Sequence, residues 1–212
     1  MTASDLKDIK LYYFSKVKDS LTMGRGEPVR LLLEDAGVDY EYVRLTADQW
    51  KEKKAELIKE GIPGPTMPYI TINGKHYAKT VPAMRFLAKK LGKYLGENDD
   101  EEHLLDAYAD FAGDWTSRWA TTLFRGSDED KKVYAETTFP QTLDTVEQML
   151  SKSSGPYLLG ERITYADFLI FHQLDDDNQA KVDSQKHPHL AAFVEAIKNR
   201  PSLQKHFNSL KQ

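Results

Sequence analysis

The segment from Thr66 to Thr80, "TMPYITINGKHYAKT", poses the first chemical question of this 212-residue chain. "YITI" and "KHYA" are β-rich runs joined by "NG", a pair that tolerates positive φ in a two-residue hairpin turn. Pro68 stands at the mouth of that hairpin, and a residue without an N–H belongs at the first position of a strand or in a turn. A cis bond there would swing the Met67 N–H and C=O away from the sheet and leave them to pair with something else, such as a ligand. Tyr12 and Tyr13, in "KLYYF", face opposite sides of a strand, so both hydroxyls cannot serve one site. Both also fit as ordinary strand residues. In "ADQWKEKKAELIKEG", Trp50 and Lys54 lie four residues apart on one helix face. Asp106, Asp110 and Asp114 share a face of a later helix, and for the first two a solvated acidic stripe is an equal reading.

These residues need elements to hold them. "DIKLYYFS" predicts a strand, followed by the long polar turn "KVKDSLTMG". A helix is expected from about Arg25 through "EPVRLLLEDAG", with Gly37 as its C-cap. "YEYVRL" is a second strand, and Thr46 or Asp48 caps the helix that follows. "IPGPTMP" is a Pro/Gly loop into the hairpin. Beyond Thr80 the apolar spacing turns helical through Val81, Met84, Phe86, Leu87 and Leu91. The order is βαβ, then αββα. "LGKYLGENDDEE" reads as a linker, and everything past it is helical by period. "HLLDAYADFAGDWTSRWATTLF" and "KKVYAETTFPQTLDTVEQMLSKS" are expected as long amphipathic helices, with shorter ones around "YADFLIFHQLDDDNQ", "HLAAFVEAIKN" and "SLQKHFNSL". The expected division is residues 1–91, a linker at 92–99, and residues 100–212. In "ERITYADFLIF", Thr164 stands three residues before Asp167, a capping arrangement with an acid in place of the usual Glu or Gln. Ile163 and Phe168 take the positions of a hydrophobic staple.

Composition narrows the function classes. A hydrophobic share of 40% and a charged share of 29% are those of an ordinary globular protein, with ample chain for a core. A net charge of −4 argues against nucleic acid or an anionic membrane as the main partner. The absence of cysteine excludes disulfides, thiolate metal sites and a cysteine nucleophile. No apolar run approaches the ~20 residues of a membrane span, and "MTASDLKDIK" lacks the apolar core of a signal peptide. The expectation is a soluble protein of the cytoplasm. The six histidines form no metal constellation by spacing, and "HPH" at 187–189 reads as a helix-start turn.

Taken in order, the pieces resemble the cytosolic glutathione transferases over nearly the whole chain. "KLYYF" looks like the family's first strand and "GRGEPVRLLLEDAG" like its first helix. "PYITINGKHYAKTVPAMRFLA" resembles the glutathione-binding hairpin, "LLGERITYADF" the buried folding motif of the helical half, and "HPHLAAFVEAIKNRPSL" the family's tail. "WKEKK" and "DAYADFAGDW" are similar to segments of the tyrosine-type branch, especially the sigma class. The resemblance implies an α/β thioredoxin-like N-terminal domain plus an all-α C-terminal domain. It also implies a homodimer, glutathione as cosubstrate, no metal, and a hydrophobic electrophile as acceptor.

The resemblance also assigns roles. Tyr13 would stabilise the glutathione thiolate, with Arg25 supporting it. Trp50 and Lys54 would hold the glycyl end of glutathione, and Met67 would exchange backbone hydrogen bonds with its cysteinyl unit, aimed by Pro68. Thr80 would cap the next helix, where hydroxyl, N–H groups and dipole favour the γ-glutamyl carboxylate. Lys79 stands where the family generally has glutamine, and Thr66 where sigma proteins often have lysine. Asp114 resembles the acid that reaches across a dimer to the γ-glutamyl amine. Trp119 and Phe124 are candidates for the acceptor pocket, which the turn from Lys16 to Met23 is expected to overhang. The same fold also serves glutathione-dependent isomerases that rearrange prostaglandin endoperoxides, and non-catalytic scaffolds.

Overall fold

A computed structural model of the protein describes residues 6–17, 23–177 and 182–210. The chain divides into two compact units, Met1–Lys93 and Tyr94–Gln212.

The first unit runs β1 (Ile9–Phe14), α1 (Glu27–Ala36), β2 (Glu41–Leu45), α2 (Ala47–Lys59), β3 (Tyr69–Ile72), β4 (Lys75–Ala78) and α3 (Thr80–Leu91). The strands form one mixed sheet in the order β2-β1-β3-β4, with β1 parallel to β2 and antiparallel to β3. Ile9, Leu11 and Tyr13 are buried along one side of β1, whereas Lys10, Tyr12 and Phe14 on the other are only half-buried. Asn73 and Gly74, at φ 49° and 75°, make the hairpin turn. Gly37 closes α1 in the left-handed conformation at φ 64°. At α2 the cap is Thr46, which accepts from the Gln49 N–H, while the Gln49 side chain takes the Thr46 N–H in return. Asp48 lies in the first turn instead. Helix α1 begins at Glu27 rather than at Arg25, because Gly24–Gly26 form a 3-10 turn first. That turn opens from Gly24 at φ 67°, a left-handed conformation outside helical geometry.

The second unit contains α4 (Asp99–Arg125), α5 (Asp128–Val133), α6 (Phe139–Ser151), α7 (Tyr165–Asp177), α8 (Pro188–Lys198) and α9 (Gln204–Ser209). The run expected as one long helix over "KKVYAETTFPQTLDTVEQMLSKS" is broken by a π-helical turn, Tyr134–Thr138. The cause is Pro140, which has no N–H for the carbonyl four residues back. The wider turn lets the Phe139 N–H reach the Tyr134 carbonyl. Asn98 caps α4 by accepting from the Glu101 N–H at 3.0 Å, so Asp99, expected in the linker, is helical. Tyr94 is buried, edge-on to Phe168 at 5.7 Å, and its carbonyl accepts from the Tyr165 N–H.

Helix α7 is buried over its first ten residues. Asp167, at its start, accepts from the Leu158 N–H (2.9 Å) and from the N–H and hydroxyl of Thr164 (2.6 Å each). The carboxylate thus takes back the Thr164 N–H as a capping box requires, and it ties the preceding loop as well. Burial outweighs these donors and pushes the Asp167 carboxyl up to about 6. At the "HPH" turn, His187 meets Asp144 at 2.8 Å and His189 meets Glu147 at 2.6 Å, which docks the start of α8 on α6. No helix among the described residues is long and apolar enough to cross a membrane.

Candidate active site

Tyr13 ends the buried row of β1, and its hydroxyl accepts a hydrogen bond from the Arg25 backbone N–H at 2.9 Å. The 3-10 turn lies directly on the ring. A Cβ on Gly24 would stand 2.5 Å from the Tyr13 hydroxyl, and one on Gly26 would stand 2.7 Å from Cγ. Both glycines are therefore what lets the turn reach the hydroxyl. Pattern reading passed over them, although the spacing "MGRGE" around Arg25 carried the signal. The period of the strand puts Tyr12 on the other face, where its ring stacks on Tyr69 at 4.4 Å.

Four further expected residues gather at the same end of the sheet. Tyr12 pairs with Tyr69, so Met67 and Pro68 precede β3 beside the end of β1 that carries Tyr13. The Met67–Pro68 peptide bond is cis. Tyr69 in turn pairs with Ala78, which brings Lys79 and Thr80 to that end. The Thr80 hydroxyl donates to the Arg25 carbonyl at 3.1 Å. Thr80 is not the cap of α3, as expected, but its first helical residue. Lys79 takes the cap position at φ 69° and ψ 141°, with no side-chain cap bond. The chain turns at Lys79, so Thr80 enters helical geometry and its hydroxyl is released to Arg25. Lys79 is exposed, as is Arg25. Both backbone groups of Arg25 are thus engaged, the N–H by Tyr13 and the C=O by Thr80.

On α2, Trp50 is half-buried with its ring 6.2 Å from that of Tyr69, and Lys54, one turn on, is exposed. In the second unit Asp114 is exposed on α4. Of the acidic series, Asp106 accepts from the Tyr165 hydroxyl at 2.7 Å, which makes it a structural residue, while Asp110 is exposed. Trp119 is buried and meets the exposed Phe124 edge-on at 6.3 Å. Trp115, one turn before Trp119, donates to Asp177 at 2.7 Å in a network that includes Tyr134. The expected overhang of the Lys16–Met23 turn falls on residues 18–22, which lie outside the described residues.

A mixed four-stranded sheet with these helices, followed by an all-helical unit, defines a thioredoxin-like domain joined to a helical domain of the transferase type. Comparisons with known proteins agree. Residues 113–210 match the family "Glutathione S-transferase, C-terminal domain", and residues 27–77 match "Glutaredoxin". The chain is 28% identical over 200 residues to "Glutathione S-transferase P 10" of Caenorhabditis elegans, covering 92% of this chain and 88% of that protein. It is 28% identical over 175 residues to the "Glutathione S-transferase class-mu 28 kDa isozyme" of Schistosoma japonicum, covering 79% of each. Among solved structures, the Pi-class glutathione S-transferase of Onchocerca volvulus superposes with a TM-score of 0.82 at 24% identity, over 95% of this chain and 93% of that one. The sigma-class enzyme of Fasciola hepatica gives 0.76 at 28% identity, over 95% and 96%. Prostaglandin synthase D of Nilaparvata lugens gives 0.76 at 25% identity, over 95% and 97%. The chain is thus similar to glutathione S-transferases over most of its length.

Proposed function

We propose that the protein is a glutathione transferase in which the Tyr13 hydroxyl holds the bound thiol as a thiolate for attack on a hydrophobic electrophile. The observation that carries this reading is the Arg25 N–H at 2.9 Å from the Tyr13 hydroxyl. A hydroxyl oriented by a backbone donor at its oxygen keeps a proton to give, and a thiolate accepts it as a charge-assisted bond. A free thiol titrates near 8.5, so lowering it by two units asks for about 2.7 kcal/mol of preferential thiolate stabilisation. One well-placed hydroxyl supplies much of that.

The remaining roles follow the family resemblance. Arg25 supports the thiolate, Trp50 and Lys54 bind the glycyl end, and the Met67 backbone, positioned by Pro68, binds the cysteinyl unit. The first turn of α3, with Thr80, offers N–H groups to the γ-glutamyl carboxylate. Asp114 completes the site of a second subunit in a homodimer, and Trp119 and Phe124 line the acceptor pocket. Residues 1–91 are the glutathione-binding part, and residues 100–212 supply acceptor and dimer contacts. We read the chain as tyrosine-type, nearest the sigma class, acting in detoxification in the cytoplasm. The likeness to a prostaglandin synthase favours a second reading, a glutathione-dependent isomerase using the same thiolate.

The test is retention on immobilised glutathione, followed by assay with a generic aryl halide and titration of bound thiol by ultraviolet absorbance. Tyr13→Phe should keep glutathione binding, raise the bound-thiol pKa, and lower conjugation by roughly 30- to 150-fold, equivalent to about two to three kcal/mol. An unchanged pKa and rate in the variant would remove Tyr13 from the mechanism. Turnover of an endoperoxide with no aryl-halide conjugation would favour the isomerase.

A further inference from the structure

The second unit holds an open cleft of about 400 Å³ between the C-terminal end of α4, helix α5 and the π-helical turn. That volume lies within the ~300–1,000 Å³ of small-molecule sites. Arg118 and Arg125 stand on its α4 wall, two turns apart and about 10 Å along the helix axis. Thr121 and Thr122 lie between them, and Val133 of α5, 49% exposed, adds an apolar surface.

The charges of this cleft lack partners. Neither arginine makes an ion pair, and neither threonine hydroxyl makes a hydrogen bond, among the described residues. The acids nearby are already engaged. Asp130, on the cleft wall, accepts from both the hydroxyl and the N–H of Ser127 through one oxygen, which holds its carboxyl below the ordinary range. Asp177 accepts from Trp115 and Tyr134, again through one oxygen. Burial and Asp177 hold the Tyr134 hydroxyl well above its ordinary value. The Arg118 charge opposes them, which places that guanidinium on the Tyr134 side of α4. An arginine at the end of a helix ordinarily complements the helix dipole, an effect confined to the last turn. That accounts for Arg125 but not for Arg118, two turns earlier. In a chain of net charge −4, two unmatched arginines on one concave wall are a local feature.

We propose that this cleft binds a small phosphate monoester. Two guanidinium groups match the charge of a phosphate dianion and present paired N–H donors to its oxygens, and the Thr121 and Thr122 hydroxyls donate to what remains. The volume exceeds that of the phosphate group alone, so the organic body lies against Val133. A phosphorylated side chain of another protein carries the same chemistry, but a concave cleft of this size favours the small molecule. The site does not depend on the transferase reading, because it uses none of the residues assigned to glutathione or to the acceptor.

The probe is phenyl phosphate, titrated calorimetrically into the full-length protein at low ionic strength. The titration is repeated with S-hexylglutathione in excess, which fills the glutathione and acceptor sites if the transferase reading holds. One molecule per chain should bind in both cases. Arg118→Gln and Arg125→Gln, both at exposed positions, should each weaken binding about ten- to hundredfold, the scale of a hydrogen bond to a charged group. Lys132→Gln, which removes an exposed cation of α5 outside the cleft, should leave binding unchanged. Inorganic phosphate should bind several-fold more weakly, because it buries no apolar surface on Val133. Wild-type affinity in both arginine variants, or no binding to the wild type at millimolar probe, would overturn the proposal. So would an equal loss in Lys132→Gln, which would reduce the effect to surface charge, or displacement by S-hexylglutathione, which would move the probe to the glutathione site. Inorganic phosphate binding as tightly as the probe would remove the organic body, and a phosphotyrosine peptide binding tenfold more tightly than the probe would assign the cleft to a protein partner. Either would overturn it too.

Discussion

Gly26→Ala isolates the contact on which the proposed thiolate site rests. Gly26 sits at φ −79°, so alanine meets no backbone penalty there and removes some chain entropy, a gain of about 0.5–1 kcal/mol. The new Cβ, however, would stand 2.7 Å from Cγ of Tyr13 and 3.0 Å from both Cβ and Cδ1. Carbon atoms rest at about 3.5–4.0 Å, so the turn or the ring must give by about 1 Å. Cγ and Cβ are the root of the side chain, and no rotamer change moves them away. Strand β1 is held between β2 and β3, so the movement falls on the turn that carries the Arg25 N–H. Overpacking of this kind costs about 1–3 kcal/mol, so after the entropy gain the net loss of stability lies between about 0 and 2.5 kcal/mol. A reacting group misplaced by about 1 Å costs on the order of 100-fold in rate, or about 2.7 kcal/mol. Conjugation of an aryl halide at saturating glutathione should therefore fall about 100-fold with Tyr13 still present, and the bound-thiol pKa should rise. Combined with Tyr13→Phe, Gly26→Ala should add less than twofold, because both remove the same interaction. Full rate and an unaltered thiol pKa in Gly26→Ala would refute the reasoning.

Three further outcomes follow. Asp114→Asn should weaken glutathione binding about tenfold by removing a charge-assisted bond while leaving a dimer, and a wild-type monomer that binds glutathione tightly in sedimentation would remove the cross-subunit role. Lys79→Gln should tighten glutathione modestly with little change in thiol pKa, because an amide can accept from the γ-glutamyl ammonium and lysine cannot. Distinctly weaker calorimetric binding would instead make Lys79 a carboxylate ligand. Burial holds Asp167 at about 6 against its ordinary 3.8, so between those values the folded protein keeps a proton that the unfolded chain has released. Its contribution to stability is complete below about pH 4 and is lost as pH rises towards 6, by about 3 kcal/mol at 1.36 per unit. Asp167→Asn should remove that slope, and a difference between wild type and variant that is flat from pH 4 to 7 in denaturant unfolding would contradict it.

Local features were legible because their causes are local. Asn73–Gly74 had to turn with positive φ, Gly37 had to end α1, and Pro68 had to stand at the entry to its strand. Thr46 and Asp48 were both admissible caps by type. Only the reciprocal bond from Gln49, which faces Thr46 and not Asp48, separates them. The π turn at Tyr134–Thr138 was missed because a helical period continues smoothly across it, and the one warning was Pro140. Asp106 was indistinguishable from Asp110 in sequence. Its partner, Tyr165, is 59 residues away, and helical spacing carries no information about that encounter.

The choice between Tyr12 and Tyr13 shows what alternation alone leaves open and what packing adds. Period two puts the rings on opposite faces but does not say which face does what. The difference lies in the neighbours. Tyr12 meets another ring, so its environment is built from side chains. Tyr13 meets a turn with two glycines, so its environment is built from backbone, with one Arg25 peptide group donating to its hydroxyl and the next accepting from Thr80. Backbone donors are fixed by the path of the chain and do not rotate away, which is what a hydroxyl must have if it is to be preorganised for a charge that develops beside it. They also leave little trace in residue type beyond the glycines that permit the approach. The chemistry proposed for Tyr13 is thus encoded less by the tyrosine than by the missing side chains on either side of Arg25.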